Sequence, residues 1–242
     1  VYPWDYSIIL ANNFNWQPRP VIQSYASYTH WLDKQNALHF KNMQNAPQFI
    51  IWELIGNPHN KNNLNSIDNR YLLNDEPQTI LQIMKSYKNH YANQRFLVLK
   101  KRDKEIKETS TIIKEVKTKW NEWLVVPKSH KGELIRLKLN FNKTIQQSLK
   151  TFFYKDEQFY IYMEDVNGII YKHLIVPKNA KDGLWINPYI TNIGSATTIK
   201  KIMFKSSNNN IVSKQLNIKW EKIVFENDAL IAFWKLNKSP VN

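Results

Sequence analysis

The spacing of apolar residues changes near Trp120, and this change restricts the fold more than any single motif does. From Trp120 onward the period is two, the spacing of strands that bury one face. In LIRLKLNF, Leu134 to Phe141, residues Ile135, Leu137, Leu139 and Phe141 share one face, with Arg136, Lys138 and Asn140 opposite. In QFYIYMED, Phe159, Ile161 and Met163 oppose Tyr160, Tyr162 and Glu164. That run meets IIYKHLIV across Val166-Asn167-Gly168, a hairpin signal because Asn and Gly accept the positive φ of tight turns. Further strands are predicted near Ile199–Phe204, Leu216–Phe225 and Ala229–Leu236. Many short strands with Asn, Gly and Pro turns predict an antiparallel β-sandwich, jelly-roll-like, over 120–242.

Before the change, strand and helix signals alternate. YSIILA, Tyr6 to Ala11, is an apolar run of strand length. Thr29 can cap a helix running to about Lys41, with Leu32, Ala37 and Phe40 inward. FIIWEL, Phe49 to Leu54, reads as a second strand, and a polar Asn-rich loop follows from Asn57 to Asn65. Pro77 opens a second helix, with Asp75 and Glu76 at its favourable end and Ile80, Leu81, Met84, Tyr87 and Tyr91 at helical spacing. RFLVLK, Arg95 to Lys100, is a third strand. Strand–helix–strand–helix–strand predicts a small α/β unit with a short parallel sheet over 1–100. Residues 101–119, KRDKEIKETSTIIKEVKTK, suit a linker, an exposed strand pair or a charged helix, and we read them as a solvated connection. The fold class is therefore mixed α+β, with the α/β unit first and the sandwich second.

Composition narrows the function classes. The chain has 242 residues, 43% hydrophobic and 13% aromatic, enough for a sizeable core and unlike a disordered segment. Its five glycines, Gly56, Gly132, Gly168, Gly183 and Gly194, lie too far apart for a phosphate-cradling loop or a dinucleotide fingerprint. The absence of cysteine excludes disulfides, thiol nucleophiles and thiolate metal sites. A net charge of +14 favours anionic partners, but richness in Lys, Asn and Ile also follows from AT-rich coding, so nucleic acid ranks last among them. No apolar run reaches the roughly 18–20 residues that span a bilayer. A start at Val1 rather than Met, without a visible signal peptide, is expected of a fragment or a processed product, a reading that leaves room for an upstream membrane anchor.

One stretch carries the candidate site. FNWQPRPVIQSYASYTHWLDKQNALHF, Phe14 to Phe40, leaves the predicted first strand, and ligands of open parallel sheets gather outside the carboxyl ends of strands. Arg19, Gln23, Tyr25, Glu53, Asp68 and Arg70 are thus expected to converge on one polar cluster. A guanidinium beside carboxylates can hold an anion or sugar hydroxyls. The structural alternative makes Arg19–Asp68 or Arg70–Glu53 loop-fixing ion pairs and Trp16 and Tyr25 core aromatics. Ser24, in QSY, lacks the glycines of a nucleophile elbow. His30, His39, His59, His90, His130 and His173 have no metal-ligand spacing, and neither a metal nor a cofactor is implied. Among Tyr154, Tyr160, Tyr162, Tyr171 and Trp185, the pair Tyr160 and Tyr162 shares a strand face. It either offers sugar rings a stacking platform or covers the sheet against the first half.

The stretch Phe14–Phe40, APQFIIWE with IDNRY, and LIVPKNAKDGLWINPYI together resemble an uncharacterised family of bacterial polytopic membrane proteins. Its members carry a C-terminal soluble extracytoplasmic domain and are likened to envelope glycosyltransferases. The resemblance covers about 1–100 and 120–195 and brings no catalytic residues with it. It implies a membrane-tethered domain in the periplasm or at the cell exterior. The leading expectation is a non-catalytic domain that contacts glycan or lipid-linked saccharide in envelope assembly. The alternatives are a glycan-modifying hydrolase or transferase using Glu53 and Asp68 as acid and base, and anion or nucleic-acid binding through the basic surface.

Overall fold

The structure, a computed structural model, describes residues 1–54, 64–140, 158–207 and 215–236. Phe141, Tyr154, His59 and most of the Asn57–Asn65 loop lie outside the described residues. The molecule is mixed α+β and its sheets are mostly antiparallel.

The first strand is not where the sequence predicts it. YSIILA contains helix α1, Ser7–Ala11, which buries only Ile9. An apolar run this short does not distinguish helix from strand. Tyr2 takes the strand's place: its N–H donates to the Ile51 carbonyl (2.8 Å) and its carbonyl accepts from Glu53 N (2.9 Å). This single parallel bridge lies beside β1, Phe49–Glu53. The rest of that sheet corrects the parallel expectation. With β2 at Tyr87–Ala92 and β3 at Phe96–Lys101, the strand order is β1-β3-β2 and every neighbour is antiparallel. Tyr87 and Tyr91 belong to β2 and not to the preceding helix. A spacing of four repeats on one side of a helix and of a strand alike.

Helix α2, His30–Lys41, begins as expected, with the Thr29 hydroxyl accepting from Leu32 N (3.2 Å). Its buried face is Asp33, Asn36 and Phe40, while Leu32 and Ala37 are only half-buried. Hydrophobicity misidentifies this face because its polar residues serve the next helix, α3, Pro77–Ser86. The first turn of a helix leaves N–H groups without intrahelical partners. Here the Asp33 carboxylate accepts from Gln78 N and Thr79 N (2.9 Å each) and from the Thr79 hydroxyl (2.8 Å). Burial, reinforced by nearby Glu76, pushes Asp33 up to about 7.

The later residues form two four-stranded antiparallel sheets. One has the order β5-β12-β7-β8, with β5 Leu124–Val125, β7 Phe159–Asp165, β8 Ile170–Ile175 and β12 Ile199–Ser206. The other has the order β4-β13-β6-β9, with β4 Glu108–Lys119, β6 Glu133–Asn140, β9 Leu184–Asn187 and β13 Gln215–Phe225. A two-stranded hairpin, β10 Tyr189–Asn192 and β11 Ser195–Thr197, completes the set. The charged stretch read as a connection is therefore largely β4. It lies at the edge of its sheet and is mostly exposed, so it needs no apolar alternation. Ala229–Leu236, read as a strand, contains helix α5, Ala229–Phe233, burying Ala229, Leu230 and Phe233. A four-residue helix, α4 (Pro177–Ala180), precedes β9.

Arg136 also departs from its predicted outward place. It is buried, with Nε and Nη2 donating to Glu221 Oε2 (3.0 and 2.6 Å). Burial opposes ionisation of Glu221, but Arg136, Lys138 and the Ser110 hydroxyl outweigh it and hold the carboxyl below its usual range.

Early and late residues are stitched together. The Tyr71 hydroxyl donates to Ile190 O and accepts from Ile190 N (3.0 Å each). Asn74 Oδ1 accepts from Trp185 N (2.6 Å). Asn179 Nδ2 donates to Ser27 O (2.6 Å) and Asp75 O (2.7 Å). Trp52 packs against Tyr2 (4.5 Å between centroids), Trp234 (5.5 Å) and Phe233 (6.4 Å).

Candidate functional site

The six candidate residues fall into three neighbouring groups. Arg19 is interior and pairs with neither Asp68 nor Glu53. Its Nη1 meets Glu76 Oε2 at 2.6 Å, with both side chains almost wholly buried. Nη2 donates to Pro3 O (2.5 Å) and Ile22 O (2.8 Å), and the guanidinium lies over the Tyr2 ring (4.6 Å). Asn36 extends the network, donating to Glu76 Oε1 (2.5 Å) and accepting from Val21 N (2.8 Å). Arg19 is thus a strut between two loops. By fixing the carbonyls of Pro3 and Ile22 it sets the positions of the residues that follow each of them.

Those following residues, with the end of β1, build an open cleft lined by Trp4, Asp5, Tyr6, Ser7, Gln23, Glu53 and Leu54. Gln23 and Glu53 are the two sequence candidates brought together here. Trp4, Asp5 and Tyr6 escaped sequence reasoning because a strand, not a loop, was expected to start at Tyr6. Glu53 Oε1 accepts from Arg95 Nε (3.0 Å) and Nη2 (2.8 Å), a single-oxygen clamp. Asp5 Oδ1 accepts from the Ser7 hydroxyl (2.5 Å) and Ser7 N (3.0 Å), which hold its carboxyl below the usual range. Asp5 is accordingly an acceptor at neutral pH, not a proton donor. The rings are ordered in advance: Tyr6 stacks on Trp16 (5.6 Å, 16°), and Trp4 meets Tyr25 edge-on (5.5 Å). Two acceptor carboxylates, a carboxamide and aromatic faces suit the hydroxyls and C–H faces of a saccharide.

Tyr25 joins this cleft to the third group, its carbonyl accepting from Arg70 Nη1 (3.1 Å). Arg70 also stands 3.8 Å from Asp68 and 4.0 Å from Asp75. Asp68 does not line the Glu53 cleft. Asp75 accepts from the Ser66 hydroxyl, and burial pushes it up to about 7. Ser24 is fully buried.

Nearby, His173 is buried against the rings of Tyr71 (5.5 Å) and Tyr189 (6.0 Å). Its Nδ1 faces the Asn69 carbonyl (3.0 Å) and so carries the hydrogen, leaving Nε2 to accept from the Tyr189 hydroxyl (2.8 Å). Burial lowers His173 from its ordinary 6.5 to about 4. Between those values the unfolded chain binds the extra proton, so this contribution is intact above pH 6.5 and is lost as pH falls toward 4. Asp33 and Asp75 act oppositely: their raised values favour the fold at low pH, and that contribution is lost as pH rises through about 7. Stability against urea, compared from pH 7 to 4.5 in wild type and His173→Gln, isolates the histidine. The wild-type curve is expected to fall more steeply on acidification, by up to one proton. Parallel curves would remove the assignment.

Tyr160 and Tyr162 lie half-buried on one face of β7, as the alternation predicts. Lys172 Nζ stands over both rings (4.3 and 5.8 Å), and Lys205 Nζ lies over Tyr162 (4.8 Å). Ammonium groups therefore already make cation–π contacts with both rings. Trp185 is buried and Tyr171 packs on Tyr189 (4.5 Å).

Among the described residues, no three His, Asp or Glu side chains gather in a group able to hold a metal ion. No helix among them is long and apolar enough to cross a membrane. Comparisons with protein-family models, curated proteins and solved structures give no match.

Proposed function

We propose that the protein is a non-catalytic saccharide-binding module whose ligand lies in the Asp5, Gln23 and Glu53 cleft. The observation that carries the reading is the cleft's composition, with both carboxylates already bonded and aromatic rings already packed beside them. Fixed acceptors favour binding, since little side-chain freedom is left to lose. The low proton affinity of Asp5 argues for recognition over acid–base chemistry. The resemblance of Phe14–Phe40, IDNRY and LIVPKNAKDGLWINPYI to extracytoplasmic domains of bacterial membrane proteins supports an envelope glycan or lipid-linked saccharide as the ligand. A tethered, extracytoplasmic location belongs to the same proposal. We also read the two four-stranded sheets as the leaves of a jelly-roll-like sandwich. Ile161, Met163 and Phe204 from one, and Leu137, Ile218 and Trp220 from the other, contribute to a single core.

Thermal unfolding with neutral and acidic oligosaccharides tests the site. A ligand at about 100 times its dissociation constant adds about 2.7 kcal/mol of stability. Wild type is expected to shift with at least one glycan, and Asp5→Asn and Gln23→Ala are expected to lose that shift while melting normally alone. Either no shift with any glycan, or a shift that survives both substitutions, would overturn the proposal.

A further inference from the structure

We infer a second ligand site, independent of the saccharide cleft, for an amphiphile with an apolar body and one anionic head, such as a medium-chain carboxylate. It is the cavity of about 600 Å³ between the loop before β6, the β10–β11 hairpin and α5. That is the size of sites that enclose small organic ligands. Its apolar wall is made by Ile190, Leu230, Ile231, Trp234 and Leu236. Two of these leave large apolar surface in water, Ile231 at 36% and Leu236 at 44% exposure.

The wall is held from both sides before any ligand arrives. Gly194 N donates to the Trp234 carbonyl (2.7 Å), and Asn89 Nδ2 donates to the carbonyls of Phe233 (3.1 Å) and Lys235 (2.8 Å). Trp234 is 5% exposed, and its indole N–H has no partner among the described residues.

Charge selects the head group. His130, Lys131 and Lys235 line the cavity, and among the described residues neither lysine has a carboxylate partner. The lining carboxylate, Glu133, is already taken by the His130 N–H (2.8 Å) and Lys222 Nζ (3.1 Å). Apolar walls with unpaired ammonium groups at the rim fit a tail in the cavity and an anion at the mouth. A neutral amphiphile would leave both lysines without a counter-charge.

Decanoate and 1-decanol, each below its micellar concentration, are the probes, titrated calorimetrically into the full chain. Decanoate is expected to saturate one site and to bind about tenfold or more tighter than decanol. Lys131→Gln with Lys235→Gln is expected to bring the two within about threefold of each other. Ala196→Trp, at an exposed position lining the cavity, is expected to abolish both without disturbing the fold. Asp5→Asn is expected to leave both unchanged, which separates this site from the saccharide cleft. Failure of decanoate to saturate, equal affinity for the two probes, or binding that survives Ala196→Trp would each overturn the inference.

Discussion

Arg19→Ala is expected to lower the stability of the fold by about 3–5 kcal/mol, the usual result of leaving one buried charge without its partner. Glu76 is fully buried and would keep the Asn36 amide but lose its one cationic partner among the described residues. The carbonyls of Pro3 and Ile22 would lose their donor as well. Urea unfolding measures the loss directly. A double variant, Arg19→Met with Glu76→Gln, removes both charges and is expected to recover most of it. Gln23→Ala, exposed at the cleft, is expected to stay within about 0.5 kcal/mol of wild type. A loss below about 1 kcal/mol in Arg19→Ala would show that the pair is not the strut described. Loss of ligand binding in an Arg19 variant would be uninformative about contact, which is why Asp5 and Gln23 carry the binding test.

Gly183→Ala is expected to cost about 4 kcal/mol or more. Gly183 has φ +108°, where an L side chain is strained, and an added Cβ would lie 2.8 Å from Arg136 Cζ and 2.9 Å from its Nε. An exposed arginine would swing aside, but this one is 4% exposed and clamped on Glu221. Accommodating the methyl group means breaking a buried ion pair, about 3–5 kcal/mol, in addition to about 1–3 kcal/mol of backbone strain. The two terms share one neighbourhood and need not add. In a background carrying Arg136→Leu and Glu221→Leu, Gly183→Ala is expected to cost only the backbone part. Equal costs in both backgrounds would show that the guanidinium is not the obstacle.

Much of the fold was legible because burial imposes a period on the sequence. β6, β7, β8, β12 and β13 lie where alternation predicts them, and α2 and α3 start at Thr29 and Pro77 as their end signals indicate. The failures occur where burial does not write a simple pattern. β4 is an exposed edge, so Lys and Glu are as acceptable there as Val. The buried face of α2 is polar because Asp33 caps another helix and Asn36 bonds a loop. YSIILA is too short for its period to be read. The parallel sheet was inferred from element order alone, and order does not set strand direction.

The candidate site was legible in part for the same reason. Gln23 and Glu53 were expected together and line one cleft, although the topological rule that suggested it does not apply to an antiparallel sheet. Asp5 and Tyr6 were hidden by the misplaced first strand. Arg19 drew attention for its chemistry, but its partner Glu76 had been assigned to favouring a helix end. A charge placed for one role cannot be seen from sequence to serve another.

The position of Trp52 has a consequence for how the chain is made. This β1 residue is sealed on one side by Tyr2 and on another by Phe233 and Trp234. During synthesis the first hundred residues would emerge with their central tryptophan uncovered, and the segment that covers it would appear long afterwards. Contacts so distant along the chain make folding slow. The early segment must therefore wait, with its apolar surface open to other chains, until α5 is released.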